Sequence, residues 1–510
     1  MDTPQSLLLI TVDCLRAGHL GFMGYHRPTT PFLDSLAANS LVLQDAIVAG
    51  NPTYYSFPAI MASRHPLALG RDVVGLAPDE PTMATAFNQS GYATAAFIGG
   101  NPYISARFGY DSGFETFRDF LREEDLQPDV AAGADGSLRT RFNRRLMDLS
   151  RAAGPLGQSV YHELYFRYCQ WLHAPSGSSF DALRRFPAAD VLVNQACDWL
   201  GGVAGRPFFL WLHFMDPHSP YYPGEEALRL LGAPSLGADR AMYLNSYWRR
   251  NELHARRLRR HRGEIITLYD AGIRWVDEQV SRLVSALERL QLWQNCVLAF
   301  TADHGEEFLE HGGRYHSPSK VTEELIRVPL LLRAPGGPKK RITVPFSFLD
   351  LAPTLLEGVG IQRPASFRGS SRWKELHNGQ NWDGTAVVEC VTSCSNPLNI
   401  ENRLGRRVVA VRERRYKLVL DFQGGAESLF DLENDPGELR PLSPDEQKPV
   451  RRRLLERARC HLAESVDLRD ADVRLRARIR DVQLQWSAPR SRWLKSESSN
   501  PAVLASGARF

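Results

Sequence analysis

The sequence lacks a hydrophobic run long enough to cross a bilayer. Its longest apolar stretches, 7–12 and 207–215, fall short of the roughly 18 residues that a membrane-spanning helix needs. The first residues, MDTPQSLLLITVD, also lack the basic region and the small-residue cleavage site of a secretory signal. We therefore expect no membrane span and a cytoplasmic location.

The chain is also poor in cysteine and has little excess of either charge. Its seven cysteines are scattered over 510 residues without a CxxC pair, which is typical of free thiols in a reducing compartment. Lysine and arginine number 62 against 58 acidic residues, a formal net charge of +4. This balance does not point to nucleic acid as a partner.

Several short apolar runs are typical of strands buried on both faces of a parallel sheet. They cover 7–12, 95–98, 208–214, 296–301 and 328–332. Helical periods separate them, and the clearest apolar stripe runs from Ile273 to Leu290. This alternation predicts an α/β fold with a large, mainly parallel sheet sandwiched by helices.

Changes in composition predict the domain organisation. Residues 1–375 form the predicted α/β domain, in which 120–205 are an insertion that shapes or covers the pocket. Residues 376–448 have the shorter strand pattern of a small antiparallel α+β subdomain. From 449 to 510 we expect an arginine-rich helical segment followed by a flexible tail.

Acidic and histidine side chains follow three of the predicted strands. Asp13 ends the first strand, Asp216 and His218 follow the third, and Asp303 with His304 follows the fourth. A lone aspartate after a strand is more typical of a helix cap. Ligands of parallel sheets bind at these strand ends, and burying several such groups without a cation is costly. Asp13, Asp303 and His304 are therefore candidate ligands of a divalent cation.

Two hydroxyl side chains precede a helix-like segment that begins near Pro58. Thr53 and Ser56 would lie where the helix dipole and free N–H groups favour an anion. A nearby cation would lower the pKa of such a hydroxyl and prepare it as a nucleophile. Taken alone, both residues are more typical of helix caps.

In its motifs the sequence resembles the sulfatase family of the alkaline phosphatase superfamily, from residue 7 to about 445. The strings that carry the resemblance include LLLITVDCLRAGHLGFMGYHRPTTPFLDSLA, HFMDPHSPYYP, TADHGEEFLEHGG and LFDLENDPGE. The resemblance implies a large α/β domain with a metal at the strand ends and a smaller C-terminal domain. It also implies hydrolysis of a sulfate or phosphate ester through a covalent intermediate.

The resemblance assigns roles to the candidate ligands. Asp13, Asp303 and His304 fall on metal positions of the family, and Thr53 falls on the nucleophile position, where it would also contact the cation. One divalent cation is implied, and calcium, manganese, zinc and magnesium all remain open.

Further positions are implied to contact the substrate. Ser56 matches the serine of the family signature, and Asn101 lies near the place of the family's lysine-containing element. His218 and His316 match positions that contact the transferred group or protonate the leaving oxygen. Histidine suits that role because its unperturbed pKa of about 6.5 is near working pH.

The sequence also departs from the family pattern. A threonine cannot be oxidised to the formylglycine aldehyde that established sulfatases use, so Thr53 excludes that chemistry. Cys14 replaces a second acid often found after the first metal aspartate, and Tyr55 and Phe57 replace the proline and arginine of the signature. The resulting set resembles the threonine-nucleophile phosphotransferases of the same superfamily.

Three functions remain open from the sequence. The leading one is a metal-dependent hydrolase that cleaves a sulfate or phosphate ester through a covalent Thr53 intermediate. The second is a phosphodiesterase, phosphonate hydrolase or phosphoryl-group transferase. The third is an inactive scaffold or polyanion-binding protein that uses the arginine-rich segments at 139–145, 249–262 and 451–459. The sequence indicates neither the particular substrate nor the oligomeric state.

Overall fold

The computed structural model describes residues 5–464, apart from 71–72, 123–137, 173–178, 204, 393, 400–401, 404 and 423. The predicted flexible tail lies outside these residues. None of the described helices combines the length and the apolarity needed to cross a bilayer.

The strands of the described residues are numbered in chain order. They are β1 (Ser6–Val12), β2 (Leu41–Ile47), β3 (Ala93–Ile98), β4 (Thr116–Arg118), β5 (Phe208–Phe214), β6 (Cys296–Ala302), β7 (Glu307–Phe308), β8 (Arg314–Tyr315), β9 (Arg327–Arg333), β10 (Lys340–Ile342), β11 (Phe346–Ser347), β12 (Thr385–Val391), β13 (Arg407–Glu413), β14 (Tyr416–Asp421) and β15 (Ala426–Asp431).

The helices are numbered in the same way. They are α1 (Pro31–Ala37), α2 (Thr53–Ala62), α3 (Met83–Gln89), α4 (Leu138–Ala152), α5 (Gly154–Leu172), α6 (Phe180–Leu183), α7 (Ala189–Gly201), α8 (Glu225–Leu230), α9 (Ala238–Trp248), α10 (Ala255–Leu258), α11 (Arg262–Arg289), α12 (Glu323–Ile326), α13 (Leu351–Gly358), α14 (Trp373–Asn378) and α15 (Lys448–Glu464).

The large sheet has the strand order β10-β2-β9-β6-β1-β5-β3-β4, and β11 pairs with the end of β2. From β6 to β4 all neighbouring strands are parallel, which confirms the predicted mainly parallel sheet. β9 is the exception, because it runs antiparallel to both β6 and β2. The sequence analysis missed β2, whose apolar run is interrupted by Gln44 and Asp45.

The central strands are buried along their whole length, so helices must cover both faces of the sheet. The longest is α11, whose predicted apolar stripe from Ile273 to Leu287 is buried. The helix ends at Arg289, and Leu290, which we included in the stripe, is instead 42% exposed. The stripe therefore stops one turn earlier than its sequence period suggests.

The second sheet is antiparallel, in the order β12-β13-β14-β15, as the strand pattern of 376–448 predicts. α15 packs on this sheet through Val450 and Leu454, which contact the apolar side chains of Val411 and Leu418. The opposite end of the sheet joins the main core, because Val388 of β12 belongs to the large apolar cluster. The arginine-rich helix is thus part of the packed structure.

The segment at 120–205 is mostly helical where it is described. α7 packs on α11 and on the sheet, so part of the predicted insertion covers the core. Arg185 and Phe186, between α6 and α7, line a cavity at the strand ends.

The loop after β6 makes a close backbone approach at Gly305. Its N–H donates to the carbonyl of Leu325 at 2.8 Å, and a Cβ at this position would lie 1.9 Å from the carbonyl oxygen of Glu324. Only glycine fits there without displacement of one backbone segment.

We expect Gly305→Ala to lower the free energy of unfolding by about 1–3 kcal/mol, because one of the two segments must move. Gly18→Ala is the control, since nothing lies within 4 Å of its added Cβ, and it should change stability by no more than about 0.5 kcal/mol. Chemical denaturation of the two variants measures the difference, and equal stabilities would contradict the steric explanation.

Candidate active site

The parallel pairing of β1 with β6 brings two aspartates together. Val12 lies opposite Ala302, so Asp13 and Asp303 both follow the ends of neighbouring strands. Nε2 of His304 lies 3.7 Å from Oδ1 of Asp13 and 3.5 Å from Oδ2 of Asp303. All three side chains are fully buried.

Thr53 reaches the same point from the start of α2. Its hydroxyl lies 3.4 Å from Oδ2 of Asp13 and 3.1 Å from Nε2 of His304. The structure therefore brings together Asp13, Thr53, Asp303 and His304, the four residues predicted to contact a cation.

The His304 imidazole has the arrangement of a metal ligand. Its Nδ1 lies 2.9 Å from the carbonyl oxygen of Gly305, which accepts a hydrogen bond, so the lone pair of Nε2 faces the two carboxylates. Burial, together with the neighbouring His316, lowers the pKa of His304 to about 4, so the ring is neutral at pH 7.

His213 is a fifth candidate ligand, which the sequence analysis missed. It lies on β5, with Nε2 3.5 Å from Oδ2 of Asp13, and its Nδ1 is 2.8 Å from the hydroxyl of Thr11. That hydroxyl also accepts a hydrogen bond from Trp211 and donates its single proton to the carbonyl of Leu212. It must therefore be the acceptor in its contact with His213, so Nδ1 of His213 is the donor. The sequence feature that could have indicated His213 is its position as a histidine within an otherwise apolar strand.

The pKa values of the two aspartates are shifted in opposite directions. Burial raises the pKa of Asp303 well above its usual range, and the Asp13 carboxylate raises it further. Burial also raises the pKa of Asp13, but His218, His213 and His304 outweigh it and hold the value well below the usual range.

Two buried atoms at this point have no hydrogen-bond partner among the described residues. They are Oδ2 of Asp303 and Nε2 of His213. Two carboxylates, a hydroxyl and neutral imidazoles are a donor set that suits a divalent cation, which would satisfy both atoms. The residues present therefore fit the predicted metal.

Further contacts fix the Asp13 carboxylate. Nδ2 of Asn101 donates to Oδ2 at 2.8 Å, and the thiol of Cys14 donates to Oδ1 at 2.9 Å. Cys14 has a φ of 58°, an uncommon value for a residue with a Cβ. Burial raises the pKa of the Cys14 thiol, and Asp13 raises it further, so the group is neutral.

Two histidines line the opening above the cluster. The ring centroids of His218 and His316 are 5.1 Å apart, and His316 is 4.7 Å from His304. Nδ1 of His316 lies 2.9 Å from Oε2 of Glu306, whose other oxygen accepts from the Tyr221 hydroxyl at 2.5 Å. Glu306 was not predicted as a site residue, because its partner Tyr221 is distant in sequence.

The environments of these two histidines shift their pKa values in opposite directions. Burial lowers the pKa of His218, and the Asp13 carboxylate only partly opposes it. Burial also lowers the pKa of His316, but the charge of Glu306 and its hydrogen bond outweigh burial and raise the value above the usual one. His316 is therefore the more basic imidazole of the pair.

Ser56 lies one turn along α2 and is fully buried. Its hydroxyl donates to the carbonyl of Thr53 at 3.1 Å. This bond stabilises the first turn of the helix and so the position of Thr53.

The cluster opens into a cavity of about 420 Å³. Its walls are aromatic and basic, and they include Tyr54, Tyr103, Arg185, Phe186 and Tyr315. A larger cleft of about 790 Å³ begins beside Arg185 and Phe186 and extends along α6. An ester with a sizeable leaving group therefore has room next to Thr53.

Family models match most of the chain. A model described as Sulfatase matches residues 5–361, and one described as N-sulphoglucosamine sulphohydrolase, C-terminal, matches residues 310–462. The first contains all the ligand candidates, and the second extends over the small sheet and most of α15.

Individual proteins are similar at lower identity. The chain is 28% identical to the choline-sulfatase of Rhizobium meliloti over 53% of each chain. It is 25% identical to the steryl-sulfatase of Mus musculus over 99% of this chain and 88% of that one. In fold it is similar to the phosphonate monoester hydrolase of Agrobacterium radiobacter, with a TM-score of 0.61 and 19% identity over 91% of this chain and 96% of that one.

We expect Asp303→Asn to weaken divalent-cation binding by at least about 100-fold, because even the loss of a group outside the ligand shell costs about 10–100-fold. Calorimetric titration of the dialysed protein with Mn²⁺, Zn²⁺, Mg²⁺ and Ca²⁺ measures the affinity. Asp45→Asn is the control, because that carboxylate contacts Arg412 instead. Equal affinity of the two variants would contradict the assigned ligand.

Proposed function

Because the chain belongs to the sulfatase family of the alkaline phosphatase superfamily, we propose that it is a metal-dependent hydrolase of sulfate esters with Thr53 as the nucleophile. The observation that carries the proposal is the position of the Thr53 hydroxyl, between Asp13 and His304 and at the floor of an open cavity. A cation bound by the four predicted ligands would polarise the ester and lower the pKa of that hydroxyl.

The reaction has two balanced steps. In the first, Thr53 gives its hydroxyl proton to solvent and its oxygen forms a bond to sulfur while the bond from sulfur to the leaving oxygen breaks, and the leaving oxygen receives a proton from His316. In the second, water attacks the sulfur of the Thr53 ester, which releases sulfate and restores the hydroxyl. The position of Thr53 at the start of α2 helps, because the helix dipole favours negative charge there.

His316 is the proposed general acid. Its Nδ1 is held by Glu306, which also stabilises the protonated ring, and the side chain is 21% exposed, so it can exchange protons with solvent. His218 lies beside Asp13 and Cys14, where it would contact the transferred group. Asn101 lines the same cavity and donates a hydrogen bond to Asp13, and we propose that it also contacts the substrate.

A phosphorus ester is the second candidate substrate. Thr53 favours it, since a hydroxyl without formylglycine chemistry is the nucleophile that the related phosphotransferases use. The phosphonate hydrolase of similar fold supports the same possibility. A phosphodiesterase, a phosphonate hydrolase and a phosphoryl-group transferase would all use the same first step.

The inactive polyanion-binding function has less support. Several arginines of the predicted basic segments pair with acids in the structure, as Arg250 does with Glu163 and Arg453 with Glu413. Paired arginines are less available to an external polyanion.

The cytoplasmic location also remains a proposal, which is supported by six described cysteines that are all free.

We expect Thr53→Ala to lower kcat at least about 100-fold, because no side-chain oxygen is left to form the covalent intermediate. Thr53→Ser should keep much more activity, since it retains the hydroxyl. Steady-state assays with aryl sulfate, phosphate monoester, phosphodiester and phosphonate substrates measure the effect and separate the candidate reactions. Unchanged turnover of Thr53→Ala would contradict the nucleophile, and the best substrate of the panel decides between sulfur and phosphorus.

We expect the loss of kcat caused by His316→Gln to depend strongly on the leaving group of the ester. A 4-nitrophenyl ester, whose leaving oxygen needs little protonation, should lose less than about tenfold in kcat, and an alkyl ester should lose about 10²–10⁴-fold. His218→Gln is the comparison and should affect both esters similarly. The reverse pattern would assign the general acid to His218.

A further inference from the structure

A second cluster of metal-type side chains lies where the small sheet meets the large domain. His65 follows the end of α2, Glu389 lies on β12, and His461 lies on α15. One ligand atom from each residue lies within 4.8 Å of the other two. Three segments far apart in sequence therefore meet in one cluster. This cluster shares no residue with the site proposed for ester hydrolysis.

The carboxylate of Glu389 is fully buried and held at both oxygens. Oε1 accepts the backbone N–H of Leu67 at 3.0 Å, and Oε2 lies 2.9 Å from Nε2 of His461. Burial raises the pKa of Glu389, but the hydrogen bond and charge of His461 outweigh it and lower the value, so the group is ionised. A fixed anion is thus available inside the protein.

The third member, His65, has no such partner. Its ring centroid is 4.3 Å from that of His461, and its Nδ1 is buried without a hydrogen-bond partner among the described residues. Burial, together with His461, lowers the pKa of His65 to about 3, so the ring is neutral. A pair formed by Glu389 and His461 alone leaves this buried nitrogen unsatisfied, which costs stability.

We propose that His65, Glu389 and His461 bind one Zn²⁺ that ties α15 and β12 to the segment after α2. Two imidazole nitrogens and one carboxylate oxygen are a ligand set that zinc uses, with one position left for water. Tetrahedral zinc separates its ligand atoms by about 3.4 Å, which is close to the 2.9 Å between Nε2 of His461 and Oε2 of Glu389, and the ligand atom of His65 lies within 4.8 Å of both.

The surroundings of the cluster suit a bound cation. The hydrogen bond from Leu67 orients Glu389 as an outer-shell group does in zinc sites. His65 is half-buried, so the cluster lies near the protein surface at that side. The zinc would replace the proton now shared by Glu389 and His461 and would satisfy the free nitrogen of His65.

The test uses the full chain in an Asp13→Asn/Asp303→Asn background, which removes two ligands of the first site. This protein should still bind one equivalent of Zn²⁺ in competition with a chromophoric chelator. Adding His65→Asn should weaken that binding at least about 100-fold, while the pair of Glu389 and His461 keeps the fold intact. Adding His461→Gln should have the same effect on zinc.

His26→Asn is the matched control, because His26 is exposed and outside the cluster, and it should leave zinc binding unchanged. Zinc should raise the Tm of the background protein and of the His26→Asn control but not that of His65→Asn. Circular dichroism before titration shows whether each variant is folded. Zinc binding of equal affinity with and without His65, or no binding by the folded background protein, would overturn the proposal.

Discussion

The in-register parallel pairing of β1 with β5 and β6 is the constraint on which the site depends. These strands are buried throughout and mostly apolar, and the two aspartates associated with them follow the carboxyl ends of β1 and β6. Because Val12 lies opposite both Phe214 and Ala302, the aspartates that follow β1 and β6 are forced together away from water. The contacts from Asn101, Cys14 and Thr53 then follow from the need to compensate Asp13.

Many of the groups near Asp13 are imidazoles, which carry a positive charge only when they are protonated. Burial lowers the pKa values of His218 and His304, and among the three imidazoles only His316 has a pKa above its usual value, raised by Glu306. Phe57 and Asn101 stand where the family's arginine and lysine element would supply permanent cations. A metal that offsets the two aspartates would make the site more attractive to an anionic ester, so cation binding would favour substrate binding.

The sequence predicted the parts of the molecule in which local pattern and chemistry coincide. A continuous apolar run followed by an acid identified β1 and β6, and the motif after β2 identified Thr53. The direction of β9 was not predictable, because a buried strand has the same pattern in either direction. His213 was missed because a strand pattern does not say which face of the sheet becomes a site, and Glu306 because its role depends on Tyr221.

Thr53, the proposed nucleophile, and His65, a proposed zinc ligand, lie at opposite ends of one helix. All ten residues of α2 are buried, with Thr53 at its first position and His65 three residues beyond its last. A helix of this length spans about 15 Å and moves as a rigid unit in a close-packed core. Contacts that fix the segment after α2, including the hydroxyl of Ser63 on the carbonyl of Leu349, therefore also limit how far Thr53 can move from Asp13. The small C-terminal sheet, which supplies Glu389 and supports α15, thereby contributes to the alignment of a hydroxyl that it does not touch.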